Sequence, residues 1–238
     1  VLTRNRSLVW VLVALSLFGA CAERAEWPEV KIAGAMRNVM MKGELGPVVR
    51  LDTIDPRPGL YGLGPLSFLR GELLLIDGTA YVSRATSDST LSVESNFDVS
   101  APFLVYAQVE GWRDIPLPER VRDIVQLEEF LDTRGLNGGQ PFPFRLTGRV
   151  ESAGIHTQDL PPGTEVRSPA DAHQGQKNFR IEGTEVEIVG FFSRQHQGIF
   201  THMGSLTHMH LITKDHTMMG HLDELRIGQM KLWVPARP

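Results

Sequence analysis

Four histidines, His208, His210, His216 and His221, fall within the seventeen residues of "SLTHMHLITKDHTMMGH", out of eight in the chain. Neutral imidazole nitrogen is a borderline-soft donor. Three such nitrogens converging on one point, with a position left for water or substrate, suit zinc. Side chains two apart in a strand share a face, so "THMHLIT" sets His208 beside His210 with Met209 on the opposite side. The polar "TKDHTMMG" ends in glycine and reads as a turn that brings His221 back opposite the pair. His208, His210 and His221 are therefore the candidate metal ligands, whereas His216 and His202 read as loop residues outside the set. The same H-x-H also fits two exposed polar residues on a half-buried strand, and the residues alone leave both readings open. A cupin barrel begins its metal site with H-x-H as well. Here, however, Asp215 stands where a cupin prefers glutamate, and the glycine spacing around "GSLTHMH" differs.

Strands must position these histidines, and the chain reads as rich in them. "TEVEIVGFFS" precedes the histidine strand and "MKLWVP" follows it, while "PFPFRLTGRVESAGI" and "PFLVYAQVEGW" are further β-prone runs. In "GELLLIDGTAYVS" the pair Asp77-Gly78 supplies the positive φ angles of a tight hairpin turn. Helices are few. "VKIAGAMRNVMMKG" spaces Ile32, Met36, Val39 and Met40 at helical intervals and stops at Gly43. "PLPERVRDIVQLEEFLDTRG" sets Val121, Ile124, Val125, Leu127 and Leu131 on one face, and Ser168-Pro169 with Asp171 predicts a short capped helix. The expected class is α+β, with mixed, mostly antiparallel sheets and few helices.

The first twenty-one residues read as an export leader: basic Arg4 and Arg6, an apolar run too short to span a membrane comfortably, and small Gly19 and Ala20 before Cys21. This resembles a bacterial lipoprotein signal, with Cys21 as the lipid-bearing residue and an exported, envelope location. Residues 22–29 read as a tether and 30–238 as the folded domain, divisible at 30–135 and 136–238. With Cys21 the single cysteine, the mature chain has no internal disulfide, and its core must hold it together. The formal charge of −4, from 24 basic and 28 acidic residues without a basic block, argues against a nucleic-acid partner. A small-molecule substrate is expected, with a lipid anchor as the membrane contact; a homodimer is compatible with the sequence.

The surroundings of the histidines resemble the acetolactate decarboxylase family. "GTEVEIVGFFS" followed by "THMHLITKDHTMMGHLDE" is similar to its signature, in which a G-T-x-V-G-F-like strand precedes H-x-H-F-I, an acidic turn and G-G-H. "LYGLGPLSFLRGELLLIDGTAYVS", "APFLVYAQV" and "FPFRLTGRV" match further family segments in unbroken order from about Val30 to Pro235. The resemblance implies zinc on His208, His210 and His221, a proton-handling or substrate-positioning carboxylate at Glu72, and conversion of 2-acetolactate to acetoin and carbon dioxide. It also implies an arginine where this chain has His156. A histidine still donates a hydrogen bond there but lacks a guanidinium's bidentate fork. The family's glutamate from a longer C-terminal tail has no counterpart before Pro238. Three functions follow as expectations. The first is zinc-dependent decarboxylation of 2-acetolactate or a related 2-hydroxy-3-oxo acid. The second is a metal-binding envelope lipoprotein that keeps the scaffold without turnover, and the third a cupin-like oxygenase or isomerase using iron or manganese.

Overall fold

The computed structural model describes residues 27–236. The expected leader, the lipid attachment at Cys21 and most of the tether lie outside the described residues.

The described residues start with strand β1 (Lys31–Gly34) and helix α1 (Met36–Lys42), where one continuous helix was expected. Gly34 explains the difference. Its φ is +70°, and a side chain there would strike the Pro102 carbonyl, so backbone geometry breaks the run between Ile32 and Met36. The apolar spacing had merged a strand residue with a genuine helical stripe. Strands β2 (Val49–Arg50), β3 (Leu60–Pro65), β4 (Glu72–Ile76), β5 (Thr79–Ala85), β6 (Leu91–Ser95), β7 (Ser100–Ala101) and β8 (Phe103–Gln108) follow. Asp77 and Gly78 both take positive φ and turn β4 into β5, as their types predict. Six of these strands form one antiparallel sheet in the order β1-β8-β3-β4-β5-β6.

The second sheet draws on β9 (Trp112–Ile115), β10 (Phe142–Thr157), β11 (Lys177–Glu182), β12 (Glu185–Phe192), β13 (Thr207–Thr213) and β14 (Met219–Pro235). Strand β10 pairs with both β12 and β14, and β13 bridges those two. The four strands β10, β12, β13 and β14 therefore close into a ring, flanked by β11 and β9. The expected last strand, "MKLWVP", is the end of a longer one, because β14 already begins at Met219 and runs through "GHLDELRIG" without a break. Helix α2 (Ile124–Thr133) is capped by the Asp123 carboxylate, which accepts from the Gln126 N–H. This start leaves Val125 74% exposed, off the buried face where it was expected; Leu127, Phe130 and Leu131 are the residues that α2 buries. Helix α3 (Pro169–Ala172) begins at Ser168 as predicted, its hydroxyl accepting from the Asp171 N–H. No helix among the described residues is long and apolar enough to cross a membrane.

Period-2 alternation distributes β13 between two cores. Met209 and Leu211 join the ring's interior with Leu127, Phe144 and Leu232, while Ile212 joins Leu63, Leu74 and Phe191 between the sheets. His208 and His210 share the parity of Ile212 and so face the first sheet. Every residue of β13 is buried, which sets aside the reading of an exposed H-x-H. The mostly antiparallel α+β class is the one observed.

Candidate metal centre

The hairpin of β13 and β14 fixes the histidines. His210 pairs directly with His221 across it, and His221 also lies opposite His156 of β10. Gly220 permits this crowding, since a side chain there would strike the His156 carbonyl. His208 Nε2 and His221 Nδ1 stand 3.1 Å apart, and the His210 ring lies 5.2 and 5.5 Å from the rings of His208 and His221. His202, which sequence reasoning left in a loop, reaches the same place. Its donor atom lies within 4.8 Å of those of His208 and His221, a tighter group than any that includes His210. His216 takes a positive φ in the turn and packs 4.8 Å from Tyr81, in a different cleft.

The loop that carries His202 and leads to His208 is held by Glu128 of α2. One carboxylate oxygen accepts from the Ser205 hydroxyl at 2.6 Å, the Leu206 and Thr207 N–H groups at 2.9 Å and the Thr207 hydroxyl at 2.7 Å. Nothing in the spacing of α2 marks Glu128 out, since its partners lie in a loop far along the chain.

Glu72 comes from the other sheet. It is 3% exposed, its Oε2 is 3.7 Å from His210 Nε2, and its Oε1 accepts from the Gln158 N–H at 3.3 Å. Its cross-strand neighbour Ser83 meets the Thr157 hydroxyl at 3.2 Å, so the two sheets are tied together beside the carboxylate. His156 approaches from the other side. Its Nδ1 is 2.7 Å from Asp223 Oδ2, its Nε2 is 3.3 Å from the Gln158 amide nitrogen, and its ring lies 4.6 Å from that of His221. A cavity of about 500 Å³, lined among others by His156, His173, His202, His221 and Asp223, opens onto this group.

Burial controls the charges. It pushes Glu72 well above the usual carboxylate range, against the Gln158 N–H, with the negative Asp223 adding to the rise. Burial likewise holds His208 and His221 well below the ordinary imidazole value and takes His210 down to about 3, each helped by neighbouring histidines. At neutral pH these rings are unprotonated, the form in which imidazole binds metal. Because their folded pKa values are depressed, the unfolded chain takes up protons first as pH falls below about 6.5. The stability they contribute is present above that pH and is lost as pH falls, for His210 down to about 3. Glu72, with its raised value, acts oppositely and offsets part of the loss above about pH 4.5. Metal-free protein should therefore unfold at lower denaturant at pH 5 than at pH 7.5; equal midpoints would contradict the burial of neutral imidazoles.

The donors fit a metal ion. His210 Nδ1 and Nε2 and His208 Nδ1 are buried without a hydrogen-bond partner, a costly arrangement for three polar atoms unless something else engages the rings. Two imidazole nitrogens 3.1 Å apart match the edge of a tetrahedron with metal–nitrogen bonds of about 2.0–2.1 Å, for which donors sit about 3.3 Å apart.

Residues 35–236 match the alpha-acetolactate decarboxylase family. The chain belongs to that family. An alpha-acetolactate decarboxylase from Methanosarcina mazei is 24% identical over 173 residues, which is 71% of this chain. The match spans 56% of that relative, so the chain spans little more than half the length of the curated protein it resembles. Among solved structures, alpha-acetolactate decarboxylase from Bacillus subtilis strain 168 superposes with a TM-score of 0.70 at 20% identity, covering 88% of this chain and 85% of that one. A Staphylococcus aureus protein of unknown function, described as similar to alpha-acetolactate decarboxylase, gives 0.69 at 15% identity, with the same coverage of each chain. At such identities the structural likeness is one of fold. The paired sheets are those of the solved alpha-acetolactate decarboxylase structures.

Proposed function

We propose that the protein is a zinc-dependent decarboxylase of 2-acetolactate, or of a related 2-hydroxy-3-oxo acid, yielding acetoin and carbon dioxide. The observation that carries this reading is the meeting of Glu72 Oε2 with His210 Nε2 at 3.7 Å across two sheets. A buried acid and a histidine cluster are thus joined at one point between the sheets. His208, His210 and His221 would hold the ion, with His202 as a further donor. When bound, zinc supplies Lewis acidity toward the oxygens of an adjacent hydroxyl and carbonyl.

The remaining work belongs to the protein. Departure of carbon dioxide leaves its bonding pair on the substrate carbon, which needs a proton. Glu72 is suited to give it, because burial keeps its carboxyl protonated above the pH at which an exposed glutamate would ionise. The Gln158 N–H holds Oε1 and leaves Oε2 turned to the histidines. A proton taken up from solvent then restores the acid. His156, at the position of the family's arginine, is engaged by Asp223 and Gln158, and in this mechanism it braces the site. A non-catalytic metal-binding role draws on that same replacement, and one experiment separates the two. Purified protein reconstituted with one equivalent of zinc should release acetoin from 2-acetolactate, stop on chelation and resume when zinc is restored. Stoichiometric zinc without chelator-sensitive acetoin would sink the decarboxylase reading.

A further inference from the structure

The register of β14 slips beside the histidines. Leu222 pairs with Ile155 and Glu224 with Gly154, so Asp223 is an extra residue with no cross-strand partner of its own. Side-chain parity records the same slip. Leu222 fills the ring's interior, and so do Leu225 and Ile227, an even position followed by odd ones. A β-bulge of this kind bends the strand and re-aims a side chain, and such bulges are concentrated next to active sites.

Here the re-aimed side chain is a carboxylate whose two oxygens address two different rings. Asp223 Oδ2 is 2.7 Å from His156 Nδ1, and Oδ1 is 3.8 Å from His221 Nε2. The other nitrogen of His221, Nδ1, faces His208 Nε2. A carboxylate on the Nε2 side favours the tautomer with its proton there and leaves the Nδ1 lone pair free toward His208, as carboxylates behind metal-binding histidines do. His156, His221 and Asp223 also lie close enough together to suggest a second ion. The distances argue against it: 2.7 Å is the length of a charge-assisted hydrogen bond, shorter than the edge between two ligands of one ion.

We propose that Asp223, delivered by the bulge in β14, is a positioning residue that fixes the rings of His221 and His156 together and thereby sets the metal affinity of the site. The inference rests on the metal centre proposed above and is tested on metal binding rather than turnover. Zinc affinity would be measured for wild type, D223N and D223E by competition with a chromophoric chelator. Metal stoichiometry, the visible spectrum of the cobalt(II) forms and the thermal midpoint of the metal-free proteins would be measured alongside. The Asp223 side chain is 38% exposed, so the near-isosteric asparagine leaves packing intact.

The expected result is one equivalent of zinc in wild type, affinity about 10- to 100-fold weaker in D223N, a changed cobalt spectrum, an unchanged metal-free midpoint, and recovery of most of the affinity in D223E. Wild-type affinity and spectrum in D223N would overturn the proposal. A fall in the metal-free midpoint that accounts for the weaker binding would also overturn it, reducing Asp223 to a structural role. Two equivalents in wild type with one lost in D223N would make Asp223 a ligand instead. These three results leave the zinc reading standing, whereas a wild type that binds no stoichiometric metal overturns both.

Discussion

His210→Leu should lose zinc binding and acetoin formation together while leaving the metal-free protein at least as stable as wild type. His210 is fully buried, and neither of its ring nitrogens has a hydrogen-bond partner. Each such group costs about 1–3 kcal/mol in a protein interior. Leucine is of similar size and removes both nitrogens, so packing changes little and the desolvation cost disappears. The functional loss should be far larger. Removing His210 breaks the proposed ligand set, in which His202 is a further donor and no substitute for the imidazole beside Glu72, and losing the Lewis acid costs several kcal/mol of transition-state stabilisation, roughly 10³-fold or more in kcat/KM. Denaturant unfolding of the metal-free proteins, zinc competition and an acetoin assay give the three numbers. A variant that unfolds more easily and still binds zinc normally would make His210 a core residue rather than a ligand.

Glu72→Gln should separate binding from chemistry. The amide keeps the shape of the carboxyl and can accept from the Gln158 N–H, so the histidines stay in place and zinc affinity stays near wild type. Without a transferable proton, kcat should drop by about 10²–10⁴-fold. Stability should move the other way, with a pH signature. Burial raises the folded pKa of Glu72 well above the ordinary 4.5, so the favourable contribution of its protonated form is complete below that value and disappears as pH rises through the folded pKa. Glutamine never ionises. Metal-free E72Q should therefore match wild type near pH 4 and exceed it increasingly toward neutral pH. Full activity in E72Q would remove Glu72 from the chemistry, and a stability difference independent of pH would remove its buried charge from the energetics.

Much of this site is legible in the sequence because its logic is local. Period 2 alone puts His208 and His210 on one face, and a polar return ending in Gly220 brings His221 across from them. Asp77-Gly78 and Ser168 announce their turn and cap by conformational preference. Glu72 emerges only through family resemblance, because an isolated glutamate at a strand start gives no sign that another sheet will bury it. What stays hidden depends on distant partners. His202 joins the cluster because Glu128, on a helix more than seventy residues earlier, holds its loop. Asp223 reaches His156 because β14 slips against β10, and a slip is defined only by two strands together. The strand at Ile32 was missed for the opposite reason: a local period ran across a backbone break at Gly34 that only the packed structure enforces.

The ring of β10, β12, β13 and β14 has a further consequence. Three histidines ride on its hairpin, with each strand of the ring hydrogen-bonded on both sides, whereas Glu72 belongs to an open sheet bounded by β1 and β6. The donor geometry is therefore inherited from a self-contained unit, and the gap between acid and ring is set by the wedge of side chains between the sheets, Leu63, Leu74 and Phe191 among them. In the proposed mechanism, a change in that wedge would move the acid relative to the rings, and so where a proton lands on a bound molecule, while every residue of the histidine cluster and the acid itself stays the same.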